Sequence, residues 1–144
     1  MNWREQPVGR FAVEFEVANN VDMSQVEAGS LSPDRVRRVR LKGVVDTGAT
    51  RLVLPADVVA QLGLAQTSTV SVRYADGRQE VRPLVGNIHL ELQGRSSVFN
   101  AVVEPGRTTA LIGAIVLEDL DFLVDCTGTK LVPRDPKLIV SEIE

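Results

Sequence analysis

One turn constrains this chain more than any other feature. Two apolar runs of strand character, Val36 to Val45 and Leu52-Val53-Leu54, are separated by only Asp46-Thr47-Gly48-Ala49-Thr50-Arg51. The first run carries Val36, Val39, Leu41, Val44 and Val45, the β-branched and apolar bulk that fits a pleated, half-buried surface. A connection this short must turn tightly. Gly48 has no Cβ, so another backbone or a ligand can approach it closely. Thr47 adds a hydroxyl for the backbone or a neighbouring chain. Asp46 places a carboxylate at the strand end, where a fixed point in a partly desolvated cleft suits a group that activates water. A solvated turn would use the same residue types, and the apolar flanks argue against it.

A second signal lies downstream in Ala110-Leu111-Ile112-Gly113-Ala114-Ile115-Val116-Leu117-Glu118-Asp119-Leu120. A buried apolar stretch ends at Gly113, and Val116, Leu117 and Leu120 then recur at helical spacing. Asp121 to Asp125 reads as a strand. Alone, this segment is ordinary core.

Taken together, the two signals resemble the retropepsin-like aspartic proteases. That family pairs an Asp-Thr/Ser-Gly-Ala/Ser turn, here Asp46-Thr47-Gly48-Ala49, with a later hydrophobic-hydrophobic-Gly, here Leu111-Ile112-Gly113, ahead of a helix. The resemblance spans about Arg38 to Pro133. It implies an all-β fold, the retropepsin-like half-barrel with one or two short helices, closed as a two-fold dimer. It also implies that the second motif threads past the loop bearing Asp46. Asp46 would be catalytic, with Thr47, Gly48 and Ala49 supporting it. Viral members carry an Asp where this chain has Thr50 and an Arg where it has Ala114. Both partners of that ion pair are absent here, so no single charge is stranded, which would cost several kcal/mol. The paired loss points to a cellular, bacterial-type branch.

Length then bears on assembly. The 144 residues are expected to form one domain over 1–144. Asp-Thr-Gly occurs once, and neither Asp76-Gly77 nor Asp125-Cys126-Thr127-Gly128 supplies a second copy. Aspartic protease chemistry needs two carboxylates sharing one proton, because like charges about 3 Å apart cannot both ionise. A homodimer with Asp46 facing its own copy across the axis is therefore expected. Its activity would be peptide-bond hydrolysis by an activated water, with no metal or other cofactor, on a peptide or unfolded protein substrate. The alternative is a retropepsin-like dimer that binds peptides or a protein partner without cutting. A third reading is an unrelated all-β binding domain with a chance Asp-Thr-Gly.

Elsewhere, Phe11, Val13, Phe15 and Val17 alternate onto one face of a strand. Asn19-Asn20 is a turn signal, and Met23 to Pro33 reads as a loop. Pro55 to Gly63 reads as a two-turn helix. Val81 to Leu92 and Ser97 to Val103 are two more strands, separated by Gln93-Gly94-Arg95. Val70 to Val81 reads as a hairpin turning at Ala75-Asp76-Gly77-Arg78, because Asp-Gly is a strong hairpin signal. By resemblance this hairpin is the flap, with Tyr74, Ala75, Asp76 and Gly77 as candidate substrate contacts. An ordinary surface hairpin with Tyr74 packed on the domain is the competing reading. The tail Leu138 to Ile143 alternates, and the resemblance implies that it interleaves with its copy.

Composition excludes other chemistry. His89 is the sole histidine, which rules out His-based triads and multi-histidine metal sites. Cys126 has no nearby His partner, and Glu118, Asp119, Asp121 and Asp125 are expected to scatter over a solvated face. A net charge of −3 leaves no nucleic-acid footprint. Arg35, Arg37, Arg38, Arg40 and Lys42 fit the exposed side of a strand. No apolar run reaches the ~18 residues of a membrane helix. Met1 to Pro7 lacks the apolar core of a signal peptide. A lone cysteine fits a reducing compartment, so a cytoplasmic location is expected, with no membrane partner.

Overall fold

The computed structural model describes residues 10–144. The reading of Met1 to Pro7 falls outside those residues. Nine strands are present among the described residues: β1 (Phe11–Asn19), β2 (Arg38–Val45), β3 (Leu52–Pro55), β4 (Gln66–Arg73), β5 (Gln79–Leu92), β6 (Arg95–Glu104), β7 (Ala110–Ile112), β8 (Phe122–Asp125) and β9 (Lys130–Pro133). Three short helices, α1 (Asn20–Glu27), α2 (Ala56–Leu62) and α3 (Ala114–Asp119), lie between them.

Seven strands form one sheet in the order β1-β2-β7-β3-β6-β5-β4. The sheet closes on itself, because β1 also pairs with β5 through Glu16↔Glu91 to Asn19↔Ile88. A barrel of β1, β2, β7, β3, β6 and β5 results, with β4 extending from it along β5. Closure removes two sheet edges that would otherwise present unpaired backbone groups. β8 and β9 form a separate two-stranded ribbon.

The expected alternation holds in β1. Phe15 and Val17 are buried in the barrel while Glu14 is exposed. The core is aliphatic, built from Val45, Leu52, Leu54, Leu62, Ile88, Leu90, Leu92, Ile112 and Leu120 around Phe15 and Phe99. The basic run alternates outward on β2, where Arg38 meets Glu16 at 3.0 Å and Arg40 meets Glu14 at 3.6 Å across the β1–β2 ladder. The helix expected between Pro55 and Gly63 is α2, stopped by Gly63 in the left-handed region at φ 62°. Gln93 (φ 49°) and Gly94 (φ 81°) make the two-residue turn from β5 to β6, a pair of positive φ values that suits a hairpin loop.

One segment differs from its sequence reading. The stretch expected as a loop from Met23 begins instead as α1, which runs Asn20–Glu27 before the chain opens into a loop. Asn19 is the cap rather than a turn residue: its Oδ1 accepts from the Asp22 N–H at 3.1 Å, and its Nδ2 donates to the Leu62 carbonyl at 2.8 Å. α1 contributes no apolar stripe, and the residue it buries is Asp22. That carboxylate accepts the Arg37 backbone N–H at 3.0 Å and two guanidinium bonds at 2.9 Å each. These bonds from Arg37 hold its pKa down at about 2, from an ordinary 3.8.

Candidate active site

Asp46 follows the last residue of β2, a strand flanked by β1 and β7 in the barrel. Its N–H donates to the Ile112 carbonyl at 3.0 Å, so the parallel β2–β7 ladder continues one residue into the turn. Its own Oδ1 accepts from the Gly48 N–H at 3.0 Å, and its carbonyl accepts from the Ala49 N–H at 3.1 Å. The carboxylate is therefore aimed by the loop that carries it. Its side chain is 22% exposed, enough for water to reach it. Arg10 approaches its Oδ2 at 3.6 Å.

The segment Leu111-Ile112-Gly113 passes directly against this loop. A Cβ on Gly113 would stand 2.7 Å from the Ala49 carbonyl oxygen and closer still to that of Arg51. The close approach is used at once: the Ala114 N–H donates to the Ala49 carbonyl at 2.8 Å, and the Ile115 N–H to the Thr50 carbonyl at 3.0 Å. These are first-turn donors of α3 that have no partner within the helix. Thr50 and Ala114 thus sit where two segments are laced by backbone bonds, without any charged pair. Thr47 is exposed. Among the described residues its hydroxyl has no hydrogen bond.

An open groove of about 660 Å³ lies over Asp46. Gly48, Ala49, Thr50 and Arg51 of the Asp46 loop line it, as do Val70 to Ala75 of the β4 hairpin. Val53, Val102 and Leu111 add apolar lining, and Glu104 and Arg107 add charged lining. Of the four candidate hairpin contacts, Tyr74 and Ala75 line the groove, whereas Asp76 and Gly77 make the turn beyond it. The Asp76 carboxylate is occupied in that turn, accepting from the Arg78 N–H at 2.9 Å.

Tyr74 serves both readings given to it from sequence. It walls the groove and is also anchored, its hydroxyl donating to Glu104 Oε2 at 2.7 Å. Arg82 Nε donates to the other Glu104 oxygen at 2.9 Å. Burial, and then the bond to Glu104, push the Tyr74 phenol up from its ordinary value. Arg10, Glu104 and Arg107 escaped the sequence reading, because long-range pairing brings them here; Glu104 arrives through the parallel β3–β6 register Pro55↔Glu104.

Among the described residues no group of three or more His, Cys, Asp or Glu side chains is placed to hold a metal ion. Cys126 is exposed and free. Asp121 stands apart from its acidic neighbours, buried and paired with Arg134 at 2.7 Å. No described helix is long and apolar enough to cross a membrane.

Solved structures similar to this chain include two viral proteases. The EIAV protease complexed with the inhibitor HBY-793 is 21% identical, with 65% of this chain and 82% of that one covered and a TM-score of 0.49. The simian foamy virus (mac) protease in solution is 16% identical, with 74% and 91% covered and a TM-score of 0.48. No curated protein matches. The aspartyl protease family model matches residues 34–116, which include both the Asp46 turn and the Gly113 segment laced to it. With more than half its length matched, and with the single Asp-Thr-Gly loop and its hydrophobic-hydrophobic-Gly partner interlocked as the sequence leads one to expect, this chain belongs to the aspartyl protease family.

Proposed function

We propose that the protein is an aspartic endopeptidase that works as a homodimer, with Asp46 of each copy at one shared active site. The observation that carries this reading is Asp46 itself: one carboxylate, held by its own loop, lining an open groove of about 660 Å³. One such group is half of the machinery. A second copy related by a two-fold axis supplies the other half.

In this mechanism one Asp46 is ionised and takes a proton from a water lying between the two carboxyls. The other is protonated and donates a hydrogen bond to the scissile carbonyl. Water adds to that carbonyl to give a tetrahedral diol. The carboxyls then exchange roles, and the leaving amine receives a proton as the C–N bond breaks. Thr47, exposed beside Asp46, would meet the partner copy in such a dimer. Tyr74 and Ala75 cover the substrate from the hairpin. The proposal takes residues 1–144 as one domain and places the enzyme in the cytoplasm, on the strength of a lone exposed cysteine.

A second reading is favoured by the Arg10–Asp46 contact at 3.6 Å. This contact engages one Asp46 oxygen within a single chain, which suits a dimer that binds peptides without cutting them.

Incubating wild type and Asp46→Asn with a mixed pool of unstructured peptides, from about pH 4 to pH 7, separates the two. Cuts seen by mass spectrometry with wild type alone support the peptidase. A protein shown to be dimeric that makes no cuts at any pH contradicts it.

A further inference from the structure

We propose that the Asp46 groove selects peptides bearing Asp or Glu side chains on the flanks of an aliphatic residue, with Arg51, Arg73 and Arg107 as the selecting groups. This rests on the reading of the groove as a peptide site. Its lining carries four arginines, Arg10, Arg51, Arg73 and Arg107, against two carboxylates, Asp46 and Glu104.

Both carboxylates are already engaged. Glu104 accepts from Tyr74 on one oxygen and from Arg82 on the other, with side chains only 13% and 22% exposed for Glu104 and Arg82. Asp46 accepts from the Gly48 N–H on one oxygen and faces Arg10 with the other. Arg51, Arg73 and Arg107 are left with no carboxylate partner among the described residues. Arg107 is held instead on neutral acceptors, the Thr109 carbonyl at 3.0 Å and hydroxyl at 3.4 Å. Arg73 meets the Gln79 amide oxygen at 3.1 and 3.0 Å in the amide orientation that satisfies both groups. Such contacts orient a guanidinium without neutralising it.

The groove's lining therefore combines apolar side chains, Val53, Val102 and Leu111, with three arginines that lack a carboxylate partner among the described residues. An aliphatic side chain suits the apolar lining, and carboxylates suit the planar forks of the arginines, which match them bidentately. Two-fold pairing repeats the same three arginines on the other side of the centre, so acidic residues are preferred both before and after the apolar one. The apolar lining favours a peptide over a nucleic acid.

Fluorescence anisotropy on Asp46→Asn protein tests this without requiring cleavage. The probes are labelled twelve-residue peptides with a central leucine and two flanking Glu, Gln or Lys residues. The Glu peptide is expected to bind about tenfold tighter than the Gln peptide, as two partly screened ion pairs would give. That margin should shrink several-fold on raising salt from about 0.05 M to 0.5 M. Arg73→Gln and Arg107→Gln in the same background should each cut it about threefold, with circular dichroism confirming the fold. Should Arg107→Gln fail to fold, the exposed Arg73→Gln carries the test. Equal affinity for Glu and Gln peptides, tighter binding of the Lys peptide, no binding of any of them, or displacement by a single-stranded oligonucleotide at lower concentration overturns the proposal. Wild type is assayed for cutting on the same peptides. Glu-selective binding without cutting upholds the selectivity and sinks the peptidase reading.

Discussion

Gly113 ties the two sequence signals together. Its position is set by space and not by backbone conformation, since its φ of −88° is open to any residue. A methyl group there meets the Ala49 and Arg51 carbonyls, so the Asp46 loop must move to admit it. Gly113→Ala should cost about 1–3 kcal/mol, the usual range for overpacking a tight site. For a chain of this length that lowers Tm by roughly 3–10 °C; an unchanged melting curve would mean that the loop gives way freely. Asp22 gives a pH prediction. Its folded pKa of about 2 lies below the ordinary 3.8, so its stabilisation is in force above the ordinary value and is lost as pH falls towards 2. Acid unfolding of wild type should therefore steepen across that window, and Asp22→Asn should flatten it. At this scale Asp46 was legible because the turn that aims its carboxylate is made of its own next residues. Asp22 was not, because its partner Arg37 is brought to it by tertiary packing.

The β4–β5 hairpin shows which parts of an element a sequence can disclose. Asp76-Gly77 announces the turn, and Gly77 takes a φ of 87° there. What it cannot announce is the tie from Tyr74 to Glu104, because those residues lie thirty apart in sequence. That tie fixes the hairpin base over the groove. Tyr74→Phe removes one bond to a charged acceptor, about 1.5–3 kcal/mol locally, while Arg82 keeps Glu104 paired. Amide exchange in β4 and in the turn should quicken by tenfold or more by the same magnitude, with the barrel strands unaffected. Equal protection in both proteins would show that backbone pairing alone holds the hairpin. α1 went unread for a different reason. A helix that buries an aspartate and no apolar stripe has no periodicity to find, and Asn19-Asn20 carries turn and cap signals alike.

The whole molecule closes its barrel but leaves its tail uncovered. Leu138 is 74% exposed and Ile143 90% exposed, although Arg134 and Asp121 hold the Val140 backbone against the body. In the dimer account these side chains meet the other copy. Leu138→Ser with Ile143→Ser should weaken self-association about tenfold or more, as the loss of two buried aliphatic contacts implies, and sedimentation velocity reads it directly. Unchanged association would place the interface elsewhere. Most strands of the closed sheet were legible from alternation and turn residues, and β7 only as a buried apolar stretch. Its closure through β1 and β5, and the seating of β7 between β2 and β3, belong to long-range register that no local pattern encodes. The central claim, two Asp46 carboxylates in one site, is tested most directly by mixing wild type with Asp46→Asn under exchange and following peptide cleavage against the mixing fraction. If each site needs both copies, an equal mixture retains about a quarter of the wild-type rate, because only wild-type pairs cut. Retention of about half, with activity falling linearly, would mean that each chain works alone and would contradict the account.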